Sequence, residues 1–305
     1  MRSRTLLLHV GMHKTASTSL QRFLFTHREE LRARGVLYPM GHCIEPPHEA
    51  HHALAWTIRR RSGFVDQNRW RAALEVLHAD PSPTVVLSSE DFEKFTAAEI
   101  EELGRYLEGF EVRVVQYARN AWGFLTSNYK HNILHTGMGE NFRTFMFREA
   151  WRCDYAGRVR AWGQVFGEDR VSMRLFDSMR QRGGVVRDFL ELVEPGLWAE
   201  LADASGEPRL NLSLDDRAVR GVRALNLLAG VLRLDPSGRN PVASWKRRCA
   251  GRGRFGRVLA AVDRCLPGKF WAPADQDWLR PRVREWNDAF FPRYAPVEDR
   301  RYLEL

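Results

Sequence analysis

An α/β fold, with a parallel sheet covered by helices on both faces and a helical cap at its C-terminal end, is predicted by three features of this 305-residue sequence. Short apolar runs that read as buried strands alternate with helical periodicity from Thr5 to about Val193, the pattern of right-handed βαβ units. Three of those runs lead into the loop after Val10, into Ser88 to Glu90 and into Arg119. Ligands of parallel sheets gather beyond the carboxyl ends of strands, so these groups belong to one expected site. Beyond about Arg209 the strands stop and the pattern is helical, which divides a single domain, 1–305, into an α/β core over 1–208 and a cap over 209–305.

Leu6, Leu7, Leu8 and Val10 make the first strand, closed by Gly11, and a Thr/Ser-rich segment then feeds a helix from about Ser17, where Leu20, Phe23, Leu24 and Leu31 recur at helical spacing. Ala33 to Pro39 reads as a short extended segment ended by proline. Gly41 to His52 reads as a surface loop with the pair Pro46-Pro47, carrying His42, His48, His51 and His52. The last three have the i, i+3, i+4 spacing that can gather ligands on one helical face; contact with a substrate is the better functional reading, and no metal is expected. Trp70, Leu74 and Leu77 mark a helix, Asp80 to Pro83 breaks it, and Thr84 to Leu87 is a buried strand. Ile100, Leu103 and Leu107 mark the next helix, and Val112, Val114, Val115 and Tyr117 the next strand. Helical patterns cover about Ala121 to His135 and Phe142 to Phe166, Arg170 to Asp177 is a further strand, and Gly183 to Val193 a further helix. In the C-terminal part Ser213 supplies an N-cap, Asp235 to about Gly256 is rich in Gly, Pro and Arg, and Trp278 to Pro296 returns to helix.

A chain of this length with 44% hydrophobic residues can bury a large core. It holds no run of about 18 apolar residues, and the apolar stretch near Met1 is too short for a secretory signal, so a soluble cytoplasmic protein is expected. Cys43, Cys153, Cys249 and Cys265 form no C-x-x-C pair and are read as reduced thiols. The net charge of +9 suits acidic partners, but Arg and Lys are scattered along the chain apart from Lys246 to Arg257, which argues against nucleic acid.

The segment from Thr5 to Gln21 is a strand, an anion-binding loop and a helix start, whose orphan N–H groups and dipole favour an anion. Compared with the Walker A pattern, Gly11 and Thr18 hold the outer positions, Ala16 replaces the second glycine, Ser17 replaces the lysine, and Lys14 comes three places early. ATP with magnesium fits poorly, and a metal-free anionic group fits well.

The loop, read as Gly-x-x-Lys-Thr-small-Ser-Thr-Ser, resembles the 5′-phosphosulfate loop of sulfotransferases, which use 3′-phosphoadenosine 5′-phosphosulfate (PAPS). Leu-x-x-x-Gly-Val-x-Tyr-Pro (Leu31 to Pro39), the strand ending Ser-Ser-Glu, and Tyr117-x-Arg119 with Ser127-x-Tyr129 extend the resemblance from about Leu7 to Leu192. It is to bacterial sulfotransferases and, more distantly, the heparan sulfotransferases; the chain departs from it in having Ala16 and Ser17 where Gly and Thr are common. The resemblance implies a P-loop NTPase-like three-layer sandwich and a donor site of Gly11, Lys14, Thr15, Ala16, Ser17, Thr18 and Ser19. Arg119 and Ser127 would take the 3′-phosphate, and the product would be adenosine 3′,5′-bisphosphate (PAP). Lys14 would stabilise the leaving phosphate, and Glu90 would be the base, with His13 and His52 in reserve. Glu90 can equally be a first-turn acid of the following helix, and Lys14 an exposed loop charge.

The acceptor is expected to be a carbohydrate hydroxyl, with His52 and Tyr129 as candidate contacts. Trp56, Trp122, Trp151, Arg152 and Trp162 would line such a cleft, or, for the tryptophans, the core. Lys246, Arg247 and Arg248 lie on a stretch that would close over adenine or stay solvated. Two rivals stand beside the transferase: a P-loop kinase of a small hydroxyl compound, and a nucleotide- or glycan-binding protein without activity.

Overall fold

The computed structural model describes residues 4–61, 68–201, 216–231 and 269–305. Ser213, Lys246 to Arg248, the stretch to Arg257, Cys249 and Cys265 lie outside the described residues. The chain divides into two compact units, one of Met1–Arg119, Asp154–Leu210 and Trp286–Leu303, the other of Asn120–Cys153, Asn211–Glu285 and Glu304–Leu305.

The first unit is built on five strands: β1 (Arg4–Val10), β2 (Val36–Leu37), β3 (Thr84–Ser89), β4 (Phe110–Ala118) and β5 (Val171–Leu175). Their order across the sheet is β2-β3-β1-β4-β5 and every neighbouring pair is parallel. The chain crosses from β3 over β1 to β4, so the sheet's switch point lies at the carboxyl end of β1, where a crevice forms. Register fixes what meets there: Val10 lies against Ser89, and His9 against Ser88 on one side and Val115 on the other.

Period-two alternation of β1 divides the core into two layers. Leu6, Leu8 and Val10 face a cluster with Leu87, Val114, Trp70, Leu103 and Trp162. Leu7 faces the other layer, with Val86, Val115, Tyr117, Leu20, Leu24, Phe189 and Leu190. Leu6 and Leu8 are fully buried, worth about 1.5–3 kcal/mol each in apolar burial. Helices cover both faces: α1 (Ser17–Thr26), α2 (Arg28–Ala33), α3 (His52–Ile58), α4 (Arg69–Ala79) and α5 (Ala97–Tyr106) come before β4. A Thr96–Glu99 capping box starts α5, each residue holding the other's backbone N–H.

The second unit holds α6 (Ala121–His135), α7 (Phe142–Glu149) and α12 (Asp216–Val231). The first holds α8 (Tyr155–Phe166), α9 (Phe176–Gln181), α10 (Val185–Val193) and α11 (Leu197–Leu201). A last helix, α13 (Pro273–Tyr294), runs through Pro281 and Pro292. The helical pattern expected without a break from Phe142 to Phe166 is two helices, because a 3-10 turn over Ala150–Cys153 ends α7 and the Asp154 carboxylate caps α8 through the Gly157 N–H at 2.9 Å. The expected loop from Gly41 to His52 ends in a helix, α3, which the two prolines and the histidines conceal from a periodicity reading. No described helix is long and apolar enough to cross a membrane.

Candidate functional site

Gly11 leaves β1 with its N–H on the Ser89 carbonyl at 3.2 Å. A Cβ there would stand 2.6 Å from Ser17 Oγ, 3.2 Å from His9 Cε1 and 3.3 Å from the Glu90 Cα, so the close approach of strand end to helix start admits no side chain. The loop then turns through two left-handed residues that are not glycine, Lys14 at φ 70° and Ala16 at φ 61°, a conformation worth about 1–2 kcal/mol of strain each. The Thr15 hydroxyl donates to the Met12 carbonyl at 2.6 Å, and Ser17 Oγ lies 3.4 Å from the same oxygen. Thr15 is fully buried, and its hydroxyl proton is committed within the loop, so what it offers a ligand is its backbone. Ala16 is the N-cap of α1 with no side-chain cap, and no acid occupies the first turn of Ser17, Thr18 and Ser19. The positive end of the dipole is thus left unneutralised by the helix itself, with Thr18 exposed and Ser19 half-buried.

Glu90 follows β3 and faces this loop. Its Oε1 lies 4.0 Å from His13 Nε2. Burial pulls the Lys14 ammonium below its usual range, with Glu90 opposing the shift and Arg119 reinforcing it. His13 is held from behind by a residue that periodicity did not single out, Glu93, whose Oε2 accepts from the His13 backbone N–H at 3.2 Å and lies 3.0 Å from Nδ1. The Glu93 side chain is fully buried, with Arg158 beside it: Nη1 donates to the Glu93 carbonyl at 2.7 Å, and Nη2 stands 3.6 Å from Oε1. With the Glu93 carboxylate on Nδ1, the imidazole turns Nε2 towards Glu90. Glu93 lies in a 3-10 turn, Phe92–Lys94, and the only sequence signal for it is its place three residues after Glu90.

His52 begins α3 on the other side of Glu90. Its Nδ1 is 2.8 Å from Ser89 Oγ and 3.7 Å from Asp91 Oδ2, and its ring stacks on Trp56 with centroids 5.7 Å apart. Burial lowers its pKa, with Glu90 and Asp91 working the other way. Burial pushes the Asp91 carboxyl up, but Lys94, His52 and the Trp56 indole together hold it below its usual value. Asp91 therefore anchors His52 and Trp56 instead of acting as a helix cap, for its side chain makes no capping bond.

The other expected histidines separate. His51 is buried, its Nδ1 accepts from the Ser88 N–H at 2.9 Å, and its Nε2–H donates to the Pro39 carbonyl at 3.0 Å. Both ring nitrogens are used, which removes His51 from the ligand set that its spacing allows; burial lowers its pKa to about 4. His48 stacks edge-on against His52 and Trp56. Among the described residues no group of three or more His, Cys, Asp or Glu is placed to hold a metal ion.

Arg119 ends β4, and its Nη1 donates to the Lys14 carbonyl at 2.8 Å, bringing the third polar strand end onto the loop. The Tyr155 hydroxyl clamps the Arg119 backbone, accepting from its N–H at 3.2 Å and donating to its carbonyl. The guanidinium lies 5.3 Å from the Phe176 ring centroid. Burial lowers its pKa, with Asp177 opposing. Tyr155 carried no sequence signal, because its role depends on where α8 packs.

Ser127 and Tyr129 lie on α6 in the second unit. Ser127 is half-buried. The Tyr129 side chain is buried, its hydroxyl donates to the Glu140 carbonyl at 2.7 Å, and Phe142, Phe145 and Phe270 surround the ring. Of the residues expected to line a cleft, Trp162 belongs to the sheet core and Trp56 is anchored on Asp91. Arg152 is buried against Glu149 and the Phe124 ring, Trp122 packs edge-on against Trp271, and Trp151 is exposed.

No family model matches the chain, and no curated protein matches it. A solved structure to which it is similar is the crystal structure of a sulfotransferase from Alicyclobacillus acidocaldarius, at 17% sequence identity over 77% of this chain and 98% of that one, with a TM-score of 0.43.

Proposed function

We propose that this chain is a sulfotransferase that moves a sulfuryl group from PAPS to an acceptor hydroxyl, most readily that of a carbohydrate. The observation that carries this reading is the bond from the Arg119 guanidinium to the Lys14 carbonyl, which joins the end of β4 to the loop after β1. The fit of the residues to such a donor rests on the loop's own features: a glycine where any Cβ would collide, two left-handed residues that turn the chain, and a helix start with no acid in its first turn. When bound, PAPS supplies an activated sulfuryl group on its 5′-phosphate.

The chain's residues then divide the work. Gly11 and the amides from Lys14 to Ser19 receive the 5′ end, and Arg119, with Ser127 eight positions on in the sequence, takes the 3′-phosphate through charge-assisted hydrogen bonds. Glu90 would accept the proton of the acceptor hydroxyl. Lys14 would supply positive charge to the leaving 5′-phosphate. His13, oriented by Glu93, is the group to which Glu90 can hand its proton, and His52 bounds the acceptor side. The sulfuryl group carries a single charge, so amides and one lysine suffice where phosphoryl transfer recruits a metal.

The test is incubation of the protein with radiolabelled PAPS and a panel of oligosaccharides, followed by mass spectrometry of the labelled product. Transfer by the wild type that falls by about 100-fold or more in Glu90→Gln, with PAP affinity unchanged, is the expected result. PAP binding with no transfer to any hydroxyl compound would leave a nucleotide-binding protein, and magnesium-dependent ATP turnover would make the chain a kinase.

A further inference from the structure

A cavity in the second unit, about 350 Å³ in volume, is framed by α6, α7, α12 and the segment from Lys269 to Asp275. That size falls in the range of small-ligand pockets, about 300–1,000 Å³. Among the described residues, Arg143, Arg220, Arg223 and Lys269 line it, with Asp275 as the carboxylate. Arg223 is held for the purpose: its Nε donates to the Gly139 carbonyl at 2.8 Å and the Glu140 carbonyl at 3.1 Å, which fixes the plane of the guanidinium. Asp275 is nearly buried, with Oδ2 accepting from the Ala272 N–H at 2.8 Å and Oδ1 standing 3.9 Å from Arg143 Nε. Phe270 and Trp271 supply ring surface, and the Lys269 ammonium lies 4.3 Å from the Trp271 centroid.

We infer that this cavity binds an acidic sugar, a saccharide residue carrying a carboxylate or sulfate. Each part of the lining has a use for that ligand. The anionic group goes to the arginines and Lys269, hydroxyls go to Asp275 and the Asn141 amide, and the C–H face of the sugar ring lies on the half-buried Trp271. A bare phosphate would leave the rings unused and would sit against the Asp275 carboxylate. A nucleic-acid strand needs a charged track, whereas these cations gather around one open cavity. The cavity is also separate from the part of α6 given to the donor above. Tyr129, which lines it, and Trp122, which packs on Trp271, are seven residues apart and share a face, while Ser127 is about 200° round the helix from Tyr129. The assignment stands on the cavity alone and does not depend on transfer chemistry.

Titration of the full chain with a hyaluronan tetrasaccharide, a neutral chitin tetrasaccharide and inorganic phosphate, followed by tryptophan fluorescence and calorimetry, tests it. The hyaluronan fragment is expected to bind at least about tenfold more tightly than either of the others. Arg223→Gln is expected to weaken it by about tenfold. Because Arg223 also holds two backbone carbonyls, Lys269→Gln, an exposed side chain, serves as the second variant and is expected to weaken binding by about threefold or more. PAP affinity of both variants should stay at the wild-type value. Equal affinity for the neutral fragment or for phosphate, unchanged hyaluronan binding in both variants, or a parallel loss of PAP binding would overturn the assignment.

Discussion

Gly11→Ala adds a single methyl group, and the structure says where it goes. The new Cβ would lie 2.6 Å from Ser17 Oγ, 3.2 Å from His9 Cε1 and 3.3 Å from the Glu90 Cα. Ser17 can rotate away. His9 cannot: it is fully buried, its Nδ1 is 2.8 Å from Ser88 Oγ, and Tyr117 and Phe189 pack edge-on against its ring. The Glu90 Cα is backbone at the end of β3 and gives less still. The loop must therefore move away from the sheet, at an overpacking cost of about 1–3 kcal/mol. For a unit of this size that lowers Tm by roughly 2–10 °C. PAP affinity should fall by about tenfold or more, since the amides of the loop and the Arg119 bond to Lys14 are displaced together. Calorimetric titration with PAP beside a thermal melt measures both. Adding Ser17→Ala to the variant removes the shortest of the three contacts, so it should restore part of the stability and little of the binding. A Gly11→Ala protein that binds PAP as tightly as the wild type would refute the reasoning, as would full rescue by Ser17→Ala.

Other consequences follow from the same geometry. Ala16→Gly relieves a left-handed alanine and is expected to raise stability by about 0.5–1 kcal/mol in urea titration; a loss would mean that the φ of 61° is not the working conformation. Glu93→Gln leaves the nearly buried Arg158 without its carboxylate and is expected to cost about 3 kcal/mol, the low end for a broken buried pair because the Arg158 bond to the Glu93 carbonyl survives. In the folded protein that variant should also slow transfer with PAP affinity unchanged, because His13 loses the group that fixes its ring; an unchanged rate would remove His13 from the proton path. Burial lowers the pKa of His9 to about 3 and of His51 to about 4, so the fold holds both neutral while the unfolded chain binds protons below about 6.5. Stability is then full above about pH 6.5 and declines as pH falls towards 4, by up to about 1.4 kcal/mol per pH unit for each histidine, and urea titrations of His9→Gln should show a shallower decline than the wild type.

The three central strands were legible because each is a run of branched or long apolar residues, most of them buried. Leu6 to Val10, Thr84 to Leu87 and Val112 to Tyr117 need no partner to be recognised, and the turn at Gly11 and the polar ends at Glu90 and Arg119 follow from their position. The contact between Arg119 and Lys14 also follows, once β1 is placed beside β4. What stayed hidden depends on packing between elements far apart in sequence. Glu93 holds His13 across 80 positions and Tyr155 clamps Arg119 across 36, and neither spacing has a local signature. Chemistry that looked available was already used: the Thr15 hydroxyl by Met12, the His51 nitrogens by Ser88 and Pro39, and the Tyr129 hydroxyl by Glu140. Residue type names what a group can do, and only burial and partners decide whether it is left to do it.

Calorimetric titration with PAP in the presence of a metal chelator, run on the wild type and on Arg119→Met and compared with ATP and magnesium, bears most directly on the loop and Arg119 as one site. PAP should bind the wild type without metal and at least about tenfold more weakly to Arg119→Met, which loses a charged donor, while ATP with magnesium binds weakly to both. Tight ATP binding that needs magnesium, or a PAP affinity indifferent to Arg119, would contradict the account.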